Sequence, residues 1–185
     1  HGWVSPHTVV EIVTDDMPFL VDSVTSAVAQ EGLSLHLVVH PQFTVERSLV
    51  GQLRRMLLTR EERQSPGAVS ESWMHFEVDR ISDAERLRAV ERRLSDVLRD
   101  VRDAVEDWAK MREAAQRIAD ELHESPPPLP AEEVADAWEL LRWLIDEHFT
   151  CLGYREYELQ EHDGEDVLVT KAGTGLGLLR GDHAE

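Results

Sequence analysis

Cysteine is nearly absent. Cys151 is the single one, which excludes an internal disulfide framework and fits a reducing, cytoplasmic compartment. Long apolar runs are also missing: none approaches about 18 residues, the length a bilayer demands of a helix. Positive charge is scarce, with 19 Lys and Arg against 37 Asp and Glu and a net charge of −18. Phosphate backbones and anionic lipid surfaces would therefore be repelled, and neither nucleic acid nor membrane is an expected partner. No Gly or Pro occurs between Asp83 and Glu124, so nothing there breaks a helix. The chain opens on His1 with neither an initiator methionine nor a signal peptide, and it reads as a piece of a longer polypeptide. What is present is ordinary for a folded protein: 185 residues, 42% apolar, enough for one medium domain or two small ones.

The uninterrupted stretch organises the rest. Leu87, Val90, Leu94, Val97, Val101, Ala104, Trp108, Met111, Ala115, Ile118 and Leu122 alternate spacings of three and four, a heptad seam. Ser82 with Glu85 reads as a capping box at its start, and Ser125 with Pro126-Pro127-Pro128 as its stop. Such a helix is about 60 Å long. Its seam should meet a second element or a second chain, and Leu94, Val101, Trp108 and Met111 are its interface candidates. Glu106–Lys110 and Glu113–Arg117 read as i,i+4 pairs on a solvated outer face.

Before the helix, Thr8 to Thr14 is β-branched and nearly continuous in apolar character, which predicts a central strand. Asp15-Asp16-Met17-Pro18 then opens a helix from Phe19 to Glu31, with an aspartate N-cap and Gly32 past its end. Leu33 to Glu46 returns to period two, with Leu33, Leu35, Leu37 and Val39 on one side, His36 and His40 on the other, and Pro41 as a break. Leu49 to Leu58 could pair as a short strand, and Thr59 to Gly67 reads as a loop. Glu71 to Asp79 alternates, with Met74, Phe76 and Val78 inward and Trp73, His75 and Glu77 outward. After the prolines, Ala131 to His148 predicts a second helix, apolar enough to be buried on most sides. Cys151 to Gln160 and Asp166 to Lys171 predict a hairpin turning at His162-Asp163-Gly164. No structure is assigned to the glycine-rich tail. The order describes an α+β protein: an antiparallel sheet with helices on one face over 1–124, a proline linker at 125–130, and the start of a second α+β unit at 131–185.

No catalytic constellation emerges. His36 and His40 lie about 13 Å apart along a strand, too far to share one metal ion, and no metal site is assigned. Trp73 and His75 on the outward face read better as an interface. Gly173-Thr174-Gly175-Leu176-Gly177 has no helix behind it, so a dinucleotide fingerprint does not fit. Cys151 lacks an electropositive sequence neighbourhood and reads as a small hydrophobe. The Asp15-Asp16-Met17-Pro18-Phe19 turn is the one candidate ligand site, because a strand there gives way to a helix N-terminus that can hold a carboxylate. The simpler account is that the two aspartates satisfy those donors themselves.

Three blocks carry a resemblance: Asp15-Asp16-Met17-Pro18-Phe19-Leu20-Val21-Asp22-Ser23, Glu71-Ser72-Trp73, and Phe149-Thr150-Cys151-Leu152-Gly153-Tyr154-Arg155-Glu156-Tyr157. In this order they resemble the N-terminal region of the large bacterial NAD-specific glutamate dehydrogenases, whose leading segment carries ACT-like, ferredoxin-like modules. The resemblance implies a regulatory or assembly segment with no cofactor of its own. Its partners would be the catalytic domain of an NAD-dependent parent enzyme, further copies of itself, and in an alternative role a small amino acid. Two departures stand out. ACT ligand loops usually place glycine after the proline, where this chain has Phe19, and an ACT unit closes with a fourth strand where this chain continues its helix. The nicotinamide-binding unit and the lysine–aspartate pair of the parent's chemistry are not within these residues.

Overall fold

A computed structural model describes residues 4–162 and 164–181. Its contacts divide the chain into two compact units, 1–101 and 102–185, with the boundary inside the long helix rather than at the proline linker.

In the first unit, β1 (Thr8–Asp15), β2 (Leu35–Val39), β3 (Gln42–Arg47), β4 (Leu53–Met56) and β5 (Ala68–Val78) form one antiparallel sheet in the order β1-β5-β3-β4, with β2 also on β5. The central strand is therefore β5, and β1, expected at the centre, pairs with β5 alone among the described strands. The alternation read for β5 holds: Met74, Phe76 and Val78 are buried on one face. Against that face lies α1 (Leu20–Gln30), whose Leu20, Val24, Ala27 and Val28 are buried at helical spacing. Gly32, at φ 69°, ends it, and the Leu33 N–H returns to Val28 O.

The period read along Leu33 to Val39 does not survive. Leu35 pairs with Val78 but Leu37 with Glu77, so the ladder slips at His36. A single extra residue turns every later side chain over. Leu37 and Val39 consequently share the outer face with Glu77 and His75 and are exposed, while Val38 faces the core side with Phe76. Pro41 leaves only a seam between β2 and β3, since the Trp73 N–H donates to Pro41 O and carries the ladder across. The segment read as a loop after Leu58 holds a one-turn helix, α2 (Arg60–Arg63), fixed by a Thr59–Glu62 capping box.

The long helix, α3 (Ala84–Glu124), is continuous over 41 residues. Asp83 rather than Ser82 caps it, accepting from the N–H groups of Glu85 and Arg86 at 3.4 and 3.0 Å. A carboxylate satisfies those donors as well as a hydroxyl does and also complements the helix dipole.

The second unit contains the rest of α3, α4 (Ala131–Trp143) with a π-helical turn at Leu144–His148, β6 (Gly153–Tyr154), β7 (Tyr157–His162), β8 (Glu165–Thr170) and β9 (Leu176–Gly177). β7 pairs with β8 as a hairpin, but the strand expected over Cys151 to Gln160 is broken after Tyr154, and its first part, β6, pairs with β9 instead. Asp163 of the predicted turn lies outside the described residues. Contrary to the burial expected of it, α4 has no buried residue, and Leu140 and Trp143 are exposed. Among the described residues no helix is long and apolar enough to cross a membrane.

Candidate functional site

Asp15 ends β1, opposite Glu71 of β5, and Asp16 opens the loop that follows. Asp16 N–H donates to Ser70 O at 2.9 Å, fixing the loop to the start of β5. The Asp16 carboxylate accepts from Ser72 Oγ at 2.6 Å and from Gln42 Nε2 at 2.8 Å. Ser72 is fully buried, and a hydroxyl has one proton. With the Ser72 hydroxyl donating to Asp16, His40 Nε2, at 2.9 Å, is left to donate to Ser72 Oγ. Asp16 therefore caps no helix, and the aspartate N-cap read for α1 is corrected. The residue at that position is Phe19, with φ 71° and ψ −3° and no side-chain cap. Phe19 holds the left-handed conformation that glycine takes at little cost, and it is 48% exposed.

The opposite face of β5 carries the rest of the Glu71-Ser72-Trp73 block. Glu71 is buried, and the Arg47 fork grips both its oxygens, Nε on Oε1 and Nη2 on Oε2 at 2.8 Å. Trp73 Nε1 donates to the same carboxylate at 2.9 Å, and its ring meets Phe43 edge-on at 5.4 Å. Hydrogen bonding from Arg47 holds the Glu71 carboxyl below the usual carboxylate range. Buried charge of this kind is tolerated because its acceptors are filled.

Toward the other end of the sheet the imidazoles gather against carboxylates. His7 Nδ1 lies 2.8 Å from Glu77 Oε2, and the His7 ring stacks on His36 at 4.1 Å. His75 sits 3.6 Å from Glu11 and 3.8 Å from Glu77. His36 Nε2 meets Asp79 Oδ1 at 2.8 Å, while the Ser34 N–H donates to Asp79 Oδ2 at 2.8 Å. Among the described residues no group of His, Cys, Asp or Glu is arranged to hold a metal ion. The Ser34 N–H, then His36, lower the Asp79 pKa to about 2 from an ordinary 3.8. A depressed carboxylate contributes stability above its unfolded value and loses it as pH falls through the folded one. The stability difference between the native chain and Asp79→Asn is therefore expected to be constant above about pH 4 and to shrink between pH 4 and 2, as read by thermal unfolding at each pH.

In the second unit the polar centre is Asp107, 1% exposed in the middle of α3. Its carboxylate accepts from Gly177 N–H at 3.0 Å, Arg180 Nε at 2.9 Å and Lys110 Nζ at 2.9 Å. Arg180 also reaches Asp103 and Glu106, and Arg117 reaches Tyr154 and Glu156. The expected i,i+4 pairs on a solvated face are thus replaced: Lys110 turns to Asp107, and Glu106 and Arg117 bind residues of the chain beyond α4. The glycine-rich tail serves the same contact. A Cβ on Gly177, at φ 58°, would stand 2.3 Å from Leu152 O, and one on Gly175 would stand 1.9 Å from Leu179 O. These glycines are needed for close backbone packing, not for a phosphate. Gly177→Ala is expected to open β6–β9, whereas Gly164→Ala, with nothing within 4 Å, should cost only the left-handed strain of about 1–2 kcal/mol. Hydrogen exchange at Gly153 and Tyr154 distinguishes the two.

Of the seam residues read as an interface, Leu94, Val101 and Met111 are buried within the chain. Trp108 stays 38% exposed, with the Arg112 guanidinium 5.1 Å from its ring centre. Trp73 and His75 are half-buried on the outer sheet face. Cys151 is half-buried. Sequence reasoning weighed His40 only as a metal ligand, passed over Gln42 and Arg47, and gave no geometric reason for Ser72 and Glu71, because each contact depends on strand register.

The glutamate dehydrogenase ACT1 domain family matches residues 1–94. Over nearly the whole chain, curated relatives include the NAD-specific glutamate dehydrogenases of Pseudomonas aeruginosa, 37% identical over 180 residues and 97% of the chain, and of Halomonas elongata, 39% identical over 99% of the chain. That of Mycobacterium tuberculosis is 31% identical over 92%. The chain spans about 11% of the length of the first two relatives and 10% of the third.

Proposed function

This chain belongs to the glutamate dehydrogenase ACT1 domain family, and from that premise we propose that it is a non-catalytic regulatory and assembly segment of an NAD-specific glutamate dehydrogenase. The parent would oxidise L-glutamate to 2-oxoglutarate and ammonia, and NAD would be held by a domain other than this one. The observation that carries the proposal is coverage: family similarity takes in the whole β1–β5 sheet, while the aligned region is only 11% of the length of the relatives. The state of the polar groups supports it. Asp16, Glu71 and Asp107 are each engaged by hydrogen bonds inside the fold, and the Ser72 proton is given to Asp16. These groups fix geometry rather than wait for a substrate.

The chain incubated with glutamate and NAD is expected to form no NADH, and steady turnover would end the proposal. Deleting the segment from a full-length relative should leave glutamate oxidation measurable while altering its regulation or subunit assembly. A deletion that changed neither would also overturn it.

A sensing role draws on one specific feature, the uncapped N-terminus of α1 beside the left-handed Phe19. Strained backbone of this kind collects at ligand loops, and helix N-termini receive carboxylates. Calorimetric titration with the twenty amino acids separates the two roles, since silence across the panel removes the sensor.

A further inference from the structure

Unit 1 presents an apolar knob. At the β3–β4 turn, closed by Gly51 N–H on Ser48 O at 2.9 Å, Leu49 and Val50 stand out into solvent. Two arginines follow on β4, Arg54 and Arg55, of which Arg54 is 60% exposed and only 3.6 Å from its nearest acid, Glu46. Over residues 46–63 five arginines stand beside three glutamates, in a chain of net charge −18; Arg47 is held by Glu71 and Arg55 by Glu46 and Glu62, so the cation offered outward beside the knob is Arg54. Exposed Leu-Val pairs beside arginine are the composition of an interface, not of ordinary surface.

Unit 2 presents a groove. Leu122, Pro126, Leu129, Val134 and Trp138 line a cleft of about 460 Å³ between the end of α3, the proline linker and α4. Glu139 stands in its wall, and Glu132 lies on the same stripe of α4 seven residues earlier. Residues 102–185 hold 8 Lys and Arg against 21 Asp and Glu. Knob and groove match in polarity and oppose in charge, and each is uncovered in the chain.

We propose that the Leu49–Val50 turn of one copy of this chain seats in the groove between α3 and α4 of a second copy, with Arg54 against the acidic rim at Glu139. The contact is heterologous: different surfaces meet, so it builds rings or open arrays rather than a closed pair at one patch. It rests on the assembly half of the proposed function but is read without any enzyme activity, so the two fail separately.

Sedimentation velocity of the 185-residue chain at rising concentration tests it. The native chain is expected to associate at tens of micromolar, more weakly as salt rises. Leu49→Asp/Val50→Asp, at positions that contribute no buried surface, should remain monomeric with an unchanged melting curve. Arg54→Glu alone and Glu139→Lys alone should each associate at least about tenfold more weakly, and an equimolar mixture of the two should recover much of the loss, because both contacts between unlike copies, knob to groove in either direction, set opposite charges together. A native chain that stays monomeric, or a Leu49→Asp/Val50→Asp chain that associates as the native one does, overturns the proposal, as does a mixture no stronger than its weaker component.

Discussion

Asp107→Ala is expected to destabilise the second unit by about 2–3 kcal/mol, one of the two largest effects of any single substitution here. The carboxylate is 1% exposed and is the acceptor for three donors from two parts of the chain. Its removal leaves the Gly177 N–H buried without a partner and withdraws the main counter-charge from Arg180. Full loss of a buried pair would cost more, but Arg180 is 39% exposed and Lys110 64%, so water and Asp103 recover part of it. Asp107→Asn should recover part of the loss, because one amide oxygen can stay on the site that Gly177 and Arg180 share while the NH2 faces the exposed Lys110, although the charge is gone. The Arg180 hydrogen bond, with Gly177 and Lys110, holds the Asp107 carboxyl far below its ordinary value. The contribution is therefore complete above the ordinary carboxylate value and shrinks progressively as pH falls below about 4 toward the folded value. Urea unfolding followed by hydrogen exchange at β6 and β9 reads the loss. An unchanged exchange rate at Gly177 would show that Asp107 does not hold that strand.

Asp107 also marks where the sequence stopped being informative. The heptad seam identified α3 and its length, because eleven apolar residues at 3-4 spacing leave few alternatives. It placed Trp108 and Ile118 on the buried face, where the structure leaves both more than a third exposed and buries Asp107, Ala114 and Ala119 instead. An acidic residue one position from a seam looks like the solvated edge of the helix. Only the approach of Gly177 and Arg180, some seventy residues later, makes burial favourable. The same limit applies to the first unit. The alternation of β5 was legible because one face is continuous core; the slip at His36 was not, since His is tolerated on either face and a bulge carries no obligatory residue. Once that register is known, the second block of family resemblance acquires a physical meaning. Glu71 takes Arg47, Ser72 takes Asp16 and His40, and Trp73 takes Glu71, so three consecutive residues tie β3, the β1–α1 loop and the sheet's outer face to one strand.

The exposed state of α4 is a different kind of miss. Val134, Trp138, Leu141 and Ile145 have the spacing of a buried helix, and spacing alone says which face is apolar but not whether anything covers it. The neighbouring α3 was the assumed cover, and it contributes only its last turn and the linker, leaving the open cleft beneath Trp138.

Leu94→Asp is expected to cost about 4 kcal/mol and to act on the first unit alone. Leu94 is buried, at a point where α3 lies alongside β1 with Val90 and Ile12. An aspartate there has no cation to pair with among the lining side chains, whose polar members are Thr8, Glu11, Glu91 and Ser95. Leu94→Ala, which leaves a larger cavity but introduces no charge, should cost about 2–3 kcal/mol, so any excess cost of the aspartate is a lower bound on the penalty of burying its charge. Because the boundary between compact units falls at Val101, the two substitutions should separate by region. Leu94→Asp should lower protection across β1, β5 and α1 while β6–β9 keeps theirs, and Asp107→Ala should do the reverse. Loss of protection at β9 in Leu94→Asp to the same degree as at β5 would mean that the 41-residue helix makes one cooperative body of the chain, and the division at Val101 would have to be given up.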